Sequence, residues 1–215
     1  MLTTLPNLLT LSRIVVIPLV VASFYLPFPW DSWIAFGLFA LASLTDWADG
    51  HLARRWQQMS AFGRFLDPIA DKLLVALTLM MLVAFNRLPM PALLPALVIL
   101  AREILVSGLR EFLAGASVGL PVSRLAKWKT AIQMIAIGIL LIGDAGPAGW
   151  PLPHIGEALL WIAAILTLVT GYDYLRAGLE HMGLESTGDA APKPAPRPKP
   201  QSTPAAPSRS VGGHG

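Results

Sequence analysis

Apolar residues gather in six stretches of the chain, at about residues 11–27, 32–53, 68–86, 90–112, 127–143 and 154–176. Each approaches the roughly 20 residues an α-helix needs to cross about 30 Å of hydrocarbon. The pattern predicts an all-α, polytopic membrane protein with six transmembrane helices. Ahead of the first stretch, MLTTLPNLLTLSR mixes leucines with Thr3, Thr4, Asn7, Thr10 and Ser12. That mixture predicts a short N-terminal interfacial helix running into the first span. Pro18 lies within the span and is expected to bend or loosen it. From residue 186 onward the chain is rich in Pro, Ala, Ser and Gly. Such a composition cannot build a core. The expected organisation is therefore a membrane domain over residues 1–185 and a disordered Pro/Ala-rich cytoplasmic tail over residues 186–215.

Composition agrees with a lipid environment. Hydrophobic residues make up 54% of the chain and charged residues 13%, against about 25% charged in soluble domains. The absence of cysteine excludes a disulfide framework, a thiol nucleophile and a cysteine-ligated metal. The N-terminus lacks the basic start and small-residue cleavage site of a signal peptide, so the first apolar segment is expected to remain. Of 16 Lys and Arg residues, only Arg87 falls in a connection on one side; the other 15 lie on the opposite side or in neighbouring span ends. The positive-inside rule places both termini, and the connection between the second and third spans, in the cytoplasm.

Against this background, DWADGHLARRWQQMSAFGRFLDPIAD at residues 46–71 carries four carboxylates: Asp46, Asp49, Asp67 and Asp71. Charge at membrane depth is costly and marks a functional site. Asp46 and Asp49 are i,i+3 and Asp67 and Asp71 are i,i+4, so each pair shares a helix face. A continuous helix would separate Asp46 from Asp71 by roughly 38 Å. A hairpin turning near Gln58 and Met59 would instead pair 46 with 71 and 49 with 67, with the first pair deeper. Four clustered carboxylates repel one another strongly. Two divalent cations neutralise them, and an all-oxygen ligand set suits Mg²⁺ or Mn²⁺ rather than zinc. Paired metals are a recurrent solution for displacement at phosphorus. Gly50 and Ala53 leave room on the aspartate face, Arg54 can reach an anionic diphosphate, and Gly63 removes bulk opposite. The plainer reading is a structural ion-pair network with Arg54, Arg55, Arg64 and Lys72.

The pattern Asp46-x₂-Asp49-Gly50-x₂-Ala53-Arg54-x₈-Gly63-x₃-Asp67-x₃-Asp71 resembles the complete signature of the CDP-alcohol phosphotransferase family, without departure in type or spacing. That resemblance implies six transmembrane helices, a dinuclear metal site on the cytoplasmic side of a bacterial inner membrane, and a homodimer. It implies Asp46, Asp49, Asp67 and Asp71 as metal ligands, with Asp71 also the general base. It further implies Asp49, Gly50, Ala53, Arg54 and Gly63 as the positions lining the CDP group.

A second polar set bears on the acceptor. Arg102 and Glu103 interrupt the fourth apolar stretch, and Arg110 follows about 12 Å along the helix and about 80° around it. Lys127 and Lys129 stand at the start of the fifth. A basic cluster near a metal site suggests an acceptor bearing a phosphate, with Arg110, Lys127, Lys129 and Arg102 as candidate contacts. Positive-inside anchoring is the alternative for the lysines, and an internal ion pair the alternative for Arg102. PNLLTLSR, TDWADGHLARRW, FLDPIADK, AREILVSGLRE and KWKTAIQM together resemble the phosphatidylglycerophosphate synthase branch of the family, except that Ala126 stands where the branch usually has glycine. The branch implies CDP-diacylglycerol as donor and sn-glycerol 3-phosphate as acceptor. Inositol phosphate, or phosphatidylglycerol giving cardiolipin, are the rival acceptors. A divalent-cation carrier would need a polar path through both leaflets, whereas the polar groups gather in one half.

Overall fold

The computed structural model describes the backbone of residues 5–56, 61–115 and 124–188, and the side chains of 11–46, 66, 68–113, 125–172 and 174–176. Six α-helices carry the fold: α1 (Leu5–Ser23), α2 (Trp30–Trp56), α3 (Ala61–Ala84), α4 (Leu93–Gly115), α5 (Arg124–Ile142) and α6 (Leu152–Gly188). Among the described residues there is no strand. The expected interfacial segment is not a separate element, because Leu5–Ser23 form one helix. Pro6 stands in its first turn, where an amide hydrogen would lack an intrahelical acceptor anyway, so nothing interrupts the helix before Pro18.

Among the described residues, three segments are long and apolar enough to cross a membrane: Met90–Leu113, Leu125–Ala145 and Leu152–Arg176. Leu11–Ser23 is a shorter apolar helix. The helices α2 and α3, at 27 and 24 residues, have the length for a crossing, but both also carry the carboxylates. Large apolar side chains such as Leu19, Met80, Leu97, Leu105, Ile165 and Leu168 point outward. That arrangement suits a lipid-facing surface. The all-helical prediction therefore holds as an apolar helical membrane protein. The tail beyond Gly188 and the turn at residues 57–60 lie outside the described residues.

The core forms because each helix turns a stripe of small or branched residues inward. Ala35, Phe39 and Ala42 repeat at helical spacing on α2, and Ala136, Ile137, Leu140 and Leu141 do so on α5. The most extensive contact among the described residues joins α5 to α6, where a Cβ at Gly156 would come within 2.7 Å of Leu140 Cγ. Small residues permit such close approach between membrane helices. Helix α1 packs against both α2 and α3, which share no comparable contact with each other among the described residues. At the far end, Arg87 pairs with Asp31 and donates to Ser32 Oγ at 2.9 Å, tying the first turn of α2 to the α3–α4 connection. The ends bearing Asp46 and Asp71 lie away from this clamp.

Candidate active site

The wedge position of α1 sets the geometry of the deep carboxylates. Arg13 on α1 is 1% exposed and extends one guanidinium to two helices. Its Nη2 lies 3.0 Å from Asp46 Oδ1 on α2, and its Nη1 lies 2.5 Å from Asp71 Oδ1 on α3. Residues 25 positions apart in the chain thus meet on one cation, as the hairpin pairing of 46 with 71 expects. The two carboxylates remain 43% and 40% exposed. The buried guanidinium therefore grips them from the protein side and leaves their outer faces to the adjoining space.

That space is a cavity of about 660 Å³ walled by five helices. Arg13, Asp46 and Asp71 line it from α1, α2 and α3, and Glu103, Arg110 and Lys129 line it from α4 and α5. Lys129 is 3% exposed and ion-paired with Glu103. Glu103 also receives Arg102 Nη1 at 3.1 Å. Lys72 donates to the Pro68 carbonyl at 3.2 Å and also lines the cavity. One pocket therefore brings carboxylates and cations from five helices to the same space.

The donor set suits hard divalent cations. Two carboxylates that converge on a single guanidinium already hold a positive group at their junction, and every candidate ligand atom is oxygen. Among the described residues no cluster of three or more metal-ligating side chains occurs; the side chains of Asp49 and Asp67 lie outside them. The backbone carries Asp49, Gly50, Ala53 and Arg54 in continuous helix with Asp46, and Gly63 and Asp67 in continuous helix with Asp71. Their helical spacing is thus as the motif requires, while the contacts of their side chains fall outside the described residues.

The chain matches the family model described as CDP-alcohol phosphatidyltransferase over residues 3–169. The chain belongs to this family. A Rickettsia bellii protein named CDP-diacylglycerol–glycerol-3-phosphate 3-phosphatidyltransferase is 49% identical over 173 residues, covering 80% of this chain and 94% of its own length. Proteins of the same name from Pseudomonas fluorescens and Cereibacter sphaeroides are 45% and 39% identical, over 83% of this chain and 91% and 97% of theirs. Within this family fold, the basic candidates separate. Arg110 and Lys129 line the cavity, whereas Lys127 is exposed and outside its wall. Arg102 turns to α6: Nε donates to the Thr167 carbonyl at 3.1 Å, Nη2 donates to Thr170 Oγ1 at 3.0 Å, and the guanidinium lies 5.9 Å from the Tyr174 ring centre. It braces α4 against α6 from outside the cavity wall.

Sequence reasoning left Arg13, Glu103 and Gln133 out of the site. Arg13 carried a usable signal, being a charge within an apolar helix, but it sits 33 residues before Asp46 and belongs to no part of the aspartate motif. Glu103 reads as a helix neighbour of Arg102 until the tertiary fold brings Lys129 to it.

Proposed function

We propose that this protein transfers the phosphatidyl group of CDP-diacylglycerol to sn-glycerol 3-phosphate, giving phosphatidylglycerophosphate and CMP. The observation that carries the proposal is a single cavity lined by Asp46 and Asp71 from α2 and α3 and by Arg110 and Lys129 from α4 and α5. Family membership and the names of the relatives support the same reaction. Two divalent cations, Mg²⁺ or Mn²⁺, would be held by Asp46, Asp49, Asp67 and Asp71, and would supply electrostatic stabilisation of the diphosphate.

The remaining chemistry belongs to the chain. Arg13 orients Asp46 and Asp71 toward the cavity. Asp49, Gly50, Ala53, Arg54 and Gly63 line the CDP group. Lys129 and Arg110 hold the acceptor phosphate, so that its free 1-hydroxyl faces the carboxylate side. The hydroxyl oxygen attacks the β-phosphorus, the bond to the bridging oxygen breaks, CMP departs with that oxygen, and Asp71 takes the hydroxyl proton. All six helices cross the bacterial inner membrane, with the cavity and both termini on the cytoplasmic side, and the protein works as a homodimer.

A lipid acceptor such as phosphatidylglycerol is disfavoured because Lys129 and Arg110 suit a compact phosphate monoester. The test is CMP release by detergent-purified protein supplied with CDP-diacylglycerol, Mg²⁺ or Mn²⁺, and a panel of alcohols. Release with glycerol 3-phosphate is the expected result; release with inositol phosphate in its place would overturn the acceptor.

A further inference from the structure

Gln133 stands one turn beyond Lys129 on α5 and lines the same cavity. It is only 3% exposed, and its Oε1 has no hydrogen-bond partner among the described residues. A buried carbonyl oxygen left unpaired is disfavoured, and such groups in folded proteins nearly always meet a partner. Two other buried hydroxyls, on Thr78 and Thr167, share that condition, but neither lines the cavity. Gln133 therefore carries a buried carbonyl oxygen without a partner in the cavity wall.

We infer that Gln133 is a specificity-determining residue that accepts a hydrogen bond from the 2-hydroxyl of the acceptor. This rests on the proposed acceptor class and adds the group that reads its carbon skeleton. Lys129 and Gln133 share one face of α5, about 6 Å apart along the axis. In glycerol 3-phosphate the phosphate and the 2-hydroxyl are a few bonds apart. A phosphate held by Lys129 accordingly brings the neighbouring hydroxyl within range of the Gln133 amide. A site built around a hydrogen bond rejects a ligand lacking the hydroxyl, since its buried oxygen is again left unpaired.

The experiment compares glycerol 3-phosphate with 3-hydroxypropyl phosphate, its analogue without the 2-hydroxyl, by CMP release from CDP-diacylglycerol. The unsubstituted protein should favour glycerol 3-phosphate in kcat/KM by about tenfold or more. Gln133→Met keeps the side-chain length and removes the acceptor oxygen, so the preference should collapse to about twofold or less. A purely structural role for Gln133 would lower both acceptors together and keep the ratio, which would overturn the inference. Should Gln133→Met fail to fold, the unsubstituted protein still decides: equal use of the two acceptors overturns it. CMP release with neither phosphate acceptor, but with another alcohol, overturns the acceptor class and this inference with it.

Discussion

Arg13 on α1 places Nη1 2.5 Å from Asp71 Oδ1 on α3, and its other terminal nitrogen holds Asp46 on α2. The residue is buried while both carboxylates are partly exposed. One side chain therefore bridges two helices that share no extensive contact with each other among the described residues.

Substituting Arg13 removes that tie. Arg13→Gln leaves two carboxylates facing each other without their cation. Breaking a fully buried pair costs about 3–5 kcal/mol, and the exposure of these carboxylates reduces the expected loss to about 2 kcal/mol. Thermal unfolding in detergent measures it. Arg13→Lys keeps the charge but cannot fork to both partners. Its Mn²⁺ affinity, read by electron paramagnetic resonance, should fall about tenfold, in the range for partners that orient metal ligands. Unchanged Mn²⁺ affinity in the lysine variant would show that charge alone suffices.

Asp71→Asn should lower turnover by about a thousandfold, within the range for loss of a general base, because the amide cannot take the hydroxyl proton. Its helical circular dichroism should match that of the unsubstituted protein. Removing divalent ions with EDTA should likewise stop CMP release in the unsubstituted protein, and added Mg²⁺ or Mn²⁺ should restore it. Activity that survives exhaustive chelation would argue against the cation site.

Arg110→Ala tests the basic wall. Losing one hydrogen bond to a charged phosphate, about 1.5–3 kcal/mol, should raise the acceptor KM by about tenfold or more. The donor KM should stay the same. Normal acceptor saturation would remove Arg110 from the site.

Arg102 should behave differently because its guanidinium is engaged with Thr167 and Thr170 on α6. Arg102→Gln is expected to lower stability by about 2 kcal/mol through the unpaired polar groups it leaves. Its acceptor KM should change by less than about twofold. A KM rise equal to that of Arg110→Ala would return Arg102 to the acceptor site.

The helices were readable from local pattern, since a lipid-crossing helix must satisfy its own backbone and present apolar side chains over its length. The aspartate motif was readable for a similar reason. Asp46 with Asp49, and Asp67 with Asp71, declare their shared helix faces through i,i+3 and i,i+4 spacing, and among the described side chains Asp46 and Asp71 meet on Arg13. The contacts of Arg13 were not readable, because polar residues among leucines do not say which helices their side chains will reach.

What the sequence determined by itself was every property that depends on neighbours along the chain: helix positions and the spacing of the carboxylates. Only the tertiary structure decided which charges share a cavity. Arg13 and Asp71 are 58 positions apart, Lys129 and Glu103 are 26 apart, and Arg102 and Thr170 are 68 apart. No periodicity links such pairs, because their proximity follows from how α1 wedges beside α2 and α3 and how α4, α5 and α6 pack. The same packing sends Arg102 to a helix brace and Lys129 to the cavity, although both were cations of equal standing in the linear chain.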